Sequence, residues 1–255
     1  MMQTMEMNAP DEVLGPMRLQ PIRALRAFAR LVEDKEDTRQ VFEIIEALSG
    51  KSIYNGYRRM LLSELGGRQA YEGLELSTYF DDPEWLAQFG EGTVGAAYRA
   101  FRNVRGLSVY GLAQEAVKVN DKVEALHPVA WYARRLRDVH DLWHTLTGYG
   151  TDALGEASLL AFTFAQTGNG AIAFIAAGAA REFSKSGHPY PYGKAIFEGW
   201  RRGRAAARLI DQDYVRLMGE PLESARARLG LAPPRTYLSV PPEARDAYAD
   251  MPIAA

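Results

Sequence analysis

Hydrophobic residues recur along most of this chain at intervals of three or four, which is the spacing of one face of an α-helix. After Pro21, a residue type that suits the first helical turn, the pattern runs through Ile22, Leu25, Phe28 and Leu31. Strict alternation of apolar and polar residues, which is typical of a half-buried strand, is almost absent. The chain is therefore predicted to be all-α.

Capping residues, prolines and glycines divide this pattern into separate helices. The predicted helices cover residues 21–32, 38–49 and 52–65, the segments that follow 83 and 93, and residues 128–147, 152–167, 169–185, 193–210 and 222–229. Residues 106–126 have an ambiguous pattern, compatible with one more short helix. We predict a single multi-helix domain over residues 19–235, with mobile or irregular ends at 1–18 and 236–255.

Composition excludes several classes of protein. A net charge of −2 gives no basic field for general nucleic-acid binding. The absence of cysteine excludes disulfides, thiolate metal ligands and thiol nucleophiles. Residues 157–180 are uncharged and nominally long enough to cross a bilayer, but residues 166–170 contain glycine and asparagine that break a helix. We expect two buried helices there, no transmembrane helix, and no secretory signal at the N terminus.

One cluster of polar residues predicts metal chemistry. His140, Asp141 and His144 share an arc of one helix, and imidazoles four residues apart can bind the same cation. A glycine turn follows, and Glu156 lies at nearly the height of His144 if the next helix packs antiparallel. Histidine and carboxylate ligands suit zinc, iron or manganese and leave coordination positions open. We therefore predict a divalent metal site at this central helical hairpin.

Other interpretations of the cluster remain open. Paired histidines and acidic residues also occur on solvated helix faces, and Asp141 is either a direct ligand or an acceptor that orients a histidine. A zinc protease motif needs glutamate where this chain has Asp141, whose side chain is shorter. A His-Asp phosphohydrolase needs two further ligands, for which His127 and Asp211 are the available but poorly spaced residues. A generic metal-dependent hydrolase is the corresponding rival function.

The block from His140 to His144, with Glu156 after eleven intervening residues, resembles the signature of the coenzyme Q biosynthesis protein 4 family. Stretches similar to the family pattern flank it in the same order, at residues 90–98, 137–139, 146–151, 200–203 and 221–230. The resemblance covers about residues 20–235, which is almost the whole chain.

This resemblance implies a helical ubiquinone biosynthesis protein with a metal held by His140, Asp141, His144 and Glu156, and with an apolar prenyl-binding groove. The implied activity is metal-dependent oxidative decarboxylation, in which hydroxyl replaces the carboxyl of a polyprenylated 4-hydroxybenzoate-type intermediate. The alternative is a lipid-binding scaffold with a structural metal, which presents the prenylated intermediate and organises other ubiquinone biosynthesis enzymes. The expected cofactor is one divalent metal, either zinc, iron or manganese.

Four residues are candidates for substrate binding. Arg137 falls on the metal-bearing arc, and a guanidinium binds a carboxylate through two hydrogen bonds, so Arg137 and Asp141 are the catalytic candidates. Phe162, Phe164 and Phe174 lie in the uncharged hairpin and would line the prenyl groove. Apolar helices are more often packed core, and the groove depends on the resemblance.

A stripe of arginines bears on where in the cell the protein is expected to lie. Arg201, Arg204 and Arg208 recur on one side of the predicted helix 193–210, as a solvated face or as a contact with anionic lipid headgroups. We predict a cytoplasmic protein bound peripherally to the inner face of the membrane. Its expected partners are an isoprenoid lipid or polyprenylated acid and other biosynthetic enzymes, with a homodimer left open.

Overall fold

The structure is a computed structural model that describes residues 18–33, 37–105 and 127–246. Within these ranges the chain is a single helical domain. Its helices are α1 (Pro21–Glu33), α2 (Thr38–Ser49), α3 (Ser52–Leu61), α4 (Glu64–Glu72), α5 (Ser77–Phe80), α6 (Pro83–Ala87), α7 (Val94–Arg105), α8 (Pro128–Asp138), α9 (His140–Thr147), α10 (Ala153–Thr167), α11 (Gly170–Lys185), α12 (Tyr192–Ala205), α13 (Tyr214–Leu217), α14 (Leu222–Leu229) and α15 (Arg235–Leu238). Two 3-10 helices, Leu209–Asp211 and Pro242–Ala244, complete the set. The all-α prediction is confirmed.

Side-chain caps explain where many of these helices begin. Asp37, Asp82 and Asp152 each accept a hydrogen bond from a backbone N–H of the first turn that follows. Asn169 does the same for α11, directly after Gly168 ends α10 in the left-handed conformation. The uncharged segment 157–180 is therefore two helices joined by a tight turn, as predicted. No helix among the described residues is long and apolar enough to cross a membrane.

Helix α10 lies at the centre of the main hydrophobic core and packs closely against α12. Two glycines of α12 allow this approach. A Cβ atom on Gly199 would lie 2.2 Å from the carbonyl oxygen of Ser158, and one on Gly203 would lie 2.5 Å from that of Phe162. Because both obstacles are backbone atoms, no side-chain rotation could relieve the clash. The spacing between α10 and α12 is set by these glycines.

A second, smaller core joins α1 and α2 to α11. Ala24 and Ile44 are fully buried between α1 and α2, and Phe28 meets Phe174 edge to face with ring centroids 5.4 Å apart. Gly178 makes room for Phe28, since an added Cβ would lie 2.2 Å from its ring. The N-terminal helical pair thus covers one side of the α10–α11 hairpin.

Three predicted helices differ from the observed ones. The helix predicted over 52–65 is two helices, because the side chain of Ser63 accepts from the N–H of Gly66 and starts α4. The helix predicted over 128–147 is interrupted at Val139, which separates α8 from α9. The helix predicted over 193–210 ends at Ala205, because the N–H of Ala207 donates to the carbonyl of Leu229 instead of continuing the helix.

The C-terminal boundary also needs correction. The chain beyond 235 was expected to be irregular or mobile, yet α15 and the 3-10 helix Pro242–Ala244 follow there. Tyr237 and Val240 are buried in the main core, so this segment is held by packing that a proline-rich pattern does not indicate. Residues 1–17, the ambiguous segment 106–126 and residues 247–255 lie outside the described part of the chain.

Candidate metal centre

Helices α9 and α10 bring His140, His144 and Glu156 together. The Nε2 atom of His140 lies 3.4 Å from Oε2 of Glu156, and Nε2 of His144 lies 3.3 Å from Oε1 of the same carboxylate. One ligand atom from each residue falls within 4.8 Å of the others. Among the described residues, this is the one group of three or more histidine, aspartate or glutamate side chains arranged to hold a metal ion.

The local fold explains why these side chains converge. Helix α9 ends at Gly148, whose φ of 77° is the left-handed conformation that glycine adopts readily. Asp152 then caps α10, and Glu156 lies in its first turn, one turn above the cap. The glycine turn therefore reverses the chain so that the first turn of α10 faces the histidines of α9. This is the arrangement that the spacing of His144 and Glu156 predicted.

His144 has the environment of a metal-binding histidine. Its side chain is completely buried, and Phe101 of α7 stacks on the imidazole with ring centroids 5.5 Å apart. Its Nδ1 lies 3.2 Å from the carbonyl oxygen of Tyr149, which can only accept, so Nδ1 carries the proton. The lone pair is then on Nε2, a buried atom without a hydrogen-bond partner. A cation bound here would satisfy that atom.

The two distances between the carboxylate and the imidazoles are compatible with metal ligands. Ligand atoms about 2.0–2.1 Å from a tetrahedral ion are roughly 3.3–3.4 Å apart from one another, which is the separation of the carboxylate from each imidazole. Glu156 offers carboxylate oxygens to the group, and His140 and His144 offer imidazole nitrogens. The donor set fits a divalent ion of the zinc, iron or manganese type.

One edge of the group is accessible. The side chains of His140 and Glu156 are 31% and 33% exposed, whereas that of His144 is not exposed at all. The imidazole rings of His140 and His144 are perpendicular, with centroids 5.0 Å apart. His144 thus lies in the protein core, and the group is open to a ligand on the side of His140. An open edge is what a catalytic site needs and a closed structural site lacks.

Asp141 is not among the three converging residues. Its side chain is buried, and its Oδ2 atom has no hydrogen-bond partner. Burial raises the pKa of Tyr98 on α7 well above its usual value, Arg102 opposes this rise, and the charge of Asp141 adds a smaller contribution to it. The structure thus brings together three of the four predicted metal ligands and places Asp141 in the core beside α7.

Arg137 is engaged within its own helix. Its Nε donates to Oδ1 of the buried Asp138 over 3.0 Å. The boundary at Val139 puts Arg137 at the end of α8 and His140 at the start of α9. A substrate carboxylate would have to share this guanidinium with Asp138.

The three phenylalanines proposed for a prenyl groove have different environments. Phe162 is completely buried and meets Trp143 edge to face with ring centroids 6.0 Å apart, which makes it a core residue. Phe174 packs on Phe28 in the smaller core. Phe164 is partly buried. The described residues show no groove at these side chains.

The two further metal ligands that a His-Asp phosphohydrolase would need are not part of this group. His127 accepts a hydrogen bond from the N–H of Val129 over 3.1 Å and so caps α8. Asp211 accepts from Arg208 and Ser63. Both side chains have structural partners outside the group formed by His140, His144 and Glu156.

Two arginines that the sequence did not single out support α9, the helix that carries His140 and His144. Arg202 of α12 donates to the carbonyl oxygen of Thr147 over 2.7 Å. Arg226 of α14 donates to those of Thr145 and Leu146 over 2.8 and 3.0 Å. These bonds satisfy carbonyl groups at the C-terminal end of α9, where positive charge is favourable. Only the tertiary structure reveals this role, since Arg202 lies 55 residues from its acceptor.

Tyr237 supports the loop between the metal-bearing helices. Its hydroxyl donates to Oδ2 of Asp152 over 2.5 Å and accepts from the N–H of Gly150 over 3.0 Å. Burial and the hydrogen bond to Asp152 raise the pKa of Tyr237 to about 12, so the phenol keeps its proton. Tyr237, which belongs to the C-terminal segment, thereby holds the turn between α9 and α10 in place.

Replacement of Tyr237 by phenylalanine should destabilise the protein by ~2 kcal/mol, because it removes a charge-assisted hydrogen bond and leaves a part-buried carboxylate less satisfied. For a domain of this size we expect the melting temperature to fall by roughly 4–8 °C. Thermal unfolding followed by circular dichroism measures the change. Tyr71→Phe is the matched control, since Tyr71 is 93% exposed and should tolerate the same substitution. Equal melting temperatures for the two variants would contradict the supporting role.

Residues 13–235 match the model of one protein family, described as coenzyme Q (ubiquinone) biosynthesis protein Coq4. The chain belongs to the Coq4 family. The mitochondrial ubiquinone biosynthesis protein COQ4 homolog of Mus musculus is 26% identical over 242 residues, which cover 86% of this chain and 89% of the mouse protein. The homolog from Xenopus tropicalis is 30% identical over 155 residues, covering 60% of this chain and 52% of the frog protein, about half its length.

The Coq4 chain also has a solved structural relative. A crystal structure from Nostoc punctiforme, of a protein described as a candidate ubiquinone biosynthesis protein, superposes with a TM-score of 0.63 at 21% identity. The match covers 84% of this chain and 99% of the other. At this identity the likeness supports the helical fold. Family membership makes this Coq4 chain a ubiquinone biosynthesis protein and confirms the resemblance that the His140–Glu156 block indicated.

Proposed function

We propose that this Coq4 protein catalyses the oxidative decarboxylation of a polyprenylated 4-hydroxybenzoate-type intermediate, with hydroxyl replacing the ring carboxyl. One observation carries the proposal: the Nε2 atom of His144 is buried, oriented by its Nδ1 hydrogen bond, and lacks a hydrogen-bond partner beside Glu156 and His140. A scaffold with a structural metal would use this nitrogen too, but it would need no open edge. A metal-dependent reaction needs both the nitrogen and the partly exposed side at His140.

His140, His144 and Glu156 would hold the metal, and when bound it would supply a positive charge that attracts the substrate's oxygen atoms. His144 and Glu156 fix the inner side of the site. His140, which is partly exposed, is where an aromatic acid would approach. Phe101 covers the imidazole of His144 and excludes water from that side.

Asp141 is the fourth residue that we assign to this site, as a ligand or as an acceptor that orients one. Its Oδ2 atom has no hydrogen-bond partner, so a carboxylate that turned towards the histidines would gain an interaction without losing one. We keep Arg137 as the group that positions the substrate carboxylate, shared with Asp138. We propose Phe164, which is only partly buried, as a better contact for a prenyl tail than Phe162 or Phe174.

The overall reaction balances with dioxygen as the oxidant. The bond between the ring and the carboxyl carbon breaks and releases carbon dioxide, and the ring carbon gains a hydroxyl group. With one water consumed, the two electrons removed from the substrate reduce dioxygen to hydrogen peroxide. Zinc could only hold the substrate for this chemistry, whereas iron or manganese could also exchange electrons.

We also propose that the protein works at a membrane, because its polyprenylated substrate is a lipid. The cytoplasmic face of the inner membrane is the proposed location, and the other ubiquinone biosynthesis enzymes are the proposed protein partners. The relatives from mouse and frog are named mitochondrial.

The test is turnover by purified protein. The chelated protein receives zinc, manganese or ferrous ion in turn, together with a prenylated 4-hydroxybenzoate and dioxygen, and mass spectrometry follows loss of the carboxyl group and gain of hydroxyl. Product is expected with at least one metal and should fall by at least 100-fold in Glu156→Gln, which keeps the shape of the side chain but not its charge.

His188→Gln is the control, because His188 is an exposed loop residue outside the metal group. It should retain full turnover. If every metal binds and none supports product formation, while the prenylated acid still binds, the enzymatic proposal fails and the lipid-binding scaffold is the better account.

A further inference from the structure

Helix α1 and the residues just before it carry an exposed apolar surface that the core does not need. Leu19, Ile22 and Leu25 are 63%, 66% and 57% exposed. The opposite side of the helix is buried, since Ala24 and Ala27 pack against α2 and Phe28 packs on Phe174. Large aliphatic side chains grouped this way on a short helical segment mark an interaction surface.

The charge along this segment is mainly positive. Residues 18–33 contain four arginines and one acidic residue, Glu33 at the end of α1. Arg23 is neutralised by Glu43 and Glu46 of α2. Arg26 and Arg30 are exposed and have no ion pair within the ranges 18–33, 37–105 and 127–246. The apolar patch is therefore bordered by two positive charges that the described part of the protein leaves uncompensated.

A cleft lies on the arginine side of α1. It has a volume of about 490 Å³ and is lined by Arg26, Arg30, Gln40 and Glu43, of which Glu43 pairs with Arg23. The two remaining guanidinium groups can bind a phosphate there. A phospholipid headgroup supplies such a phosphate.

We propose that α1 is the membrane-docking surface of this protein: Leu19, Ile22 and Leu25 enter the headgroup region of an anionic bilayer while Arg26 and Arg30 bind lipid phosphates. Shallow insertion of aliphatic side chains flanked by arginine is how an amphipathic helix lies on a membrane. An acidic protein surface would satisfy the arginines but gives no reason for three exposed aliphatic side chains beside them.

The basic stripe predicted on the later helix is the weaker surface. Helix α12 ends at Ala205, so Arg208 is not on it, and Arg208 pairs with Asp211 instead. Arg204 lies over the ring of Trp200, 5.5 Å from its centroid. Arg201 and Arg204 therefore remain as the rival membrane contact, and they supply a matched comparison for α1.

Sedimentation with vesicles tests the proposal on the full chain. The lipids are phosphatidylcholine alone or its equal mixture with phosphatidylglycerol. We expect binding to the anionic mixture that weakens in high salt. The pair Arg26→Gln and Arg30→Gln should weaken it about 30-fold, equivalent to ~2 kcal/mol at about 1.4 kcal/mol per tenfold. The pair Ile22→Ser and Leu25→Ser should weaken it on the order of tenfold.

The pair Arg201→Gln and Arg204→Gln should leave vesicle binding unchanged, and all variants should keep the far-ultraviolet spectrum and metal binding of the parent protein. Metal binding is independent of this surface, so failure of the docking proposal would leave the proposed reaction standing. The proposal is overturned if the protein ignores anionic vesicles or if the α12 pair alone weakens binding. It is also overturned if the Ile22 and Leu25 changes alter only the oligomeric state, which would assign the surface to a second copy of the chain.

Discussion

Replacing His144 by glutamine is expected to abolish the stabilisation that a divalent metal gives to this protein. His144 supplies a buried nitrogen whose lone pair faces the site, whereas glutamine fills similar volume without an imidazole. At a metal concentration about 100 times the dissociation constant, the parent protein should gain ~2.7 kcal/mol. Its melting temperature should then rise by roughly 5–10 °C between the chelated and the metal-loaded form. The variant should show no rise.

Calorimetry of chelated and metal-loaded protein gives this difference directly, and it does not require that the apo forms of parent and variant be equally stable. His188→Gln, at an exposed position outside the metal group, should respond to metal as the parent does. A metal-dependent rise that persists in His144→Gln would show that the ion binds elsewhere, and the metal centre described above would have to be abandoned.

Replacing Gly199 by alanine should be the most damaging single-methyl change in α12. The new Cβ would lie 2.2 Å from the carbonyl oxygen of Ser158, so α12 would have to move away from α10 along the centre of the core. We expect a loss of ~3 kcal/mol, at the upper end for overpacking, because the obstacle is backbone. The melting temperature should fall by roughly 6–12 °C in thermal unfolding.

Gly193 lies on the same helix and supplies the opposite case. A Cβ added there meets nothing within 4 Å, so Gly193→Ala should stabilise the protein by roughly 0.5 kcal/mol through the higher helix propensity of alanine. If Gly199→Ala and Gly193→Ala changed the free energy of unfolding in the same direction by similar amounts, that result would contradict the close packing of α10 against α12.

Local signals predicted most of the helices and the convergence of His140, His144 and Glu156. Asp37, Asp82 and Asp152 are caps that act over two or three residues, so the chain itself shows where those helices begin. The proximity of His144 and Glu156 could also be predicted from the sequence, because a short glycine turn between two helices leaves little freedom in how those helices pack.

The predictions from sequence differ from the structure where a residue far away in the chain determines the local conformation or burial. Helix α12 stops early because Leu229 captures the N–H of Ala207, and no local pattern reports that. Asp141 lies on the predicted arc but is buried beside Tyr98, since α7 packs across α9. Phe162 was expected to line a groove and is core, because the glycines of α12 bring that helix directly onto α10.

The hydroxyl group of Tyr237 has a practical consequence for shortened versions of the protein. The family match stops at residue 235, and a chain cut at that point would look complete by alignment. It would nevertheless lose the phenol that joins Gly150 to Asp152, together with the buried Val240. Such a truncated protein should unfold more easily and bind a metal ion less tightly, although His140, His144 and Glu156 would all still be present.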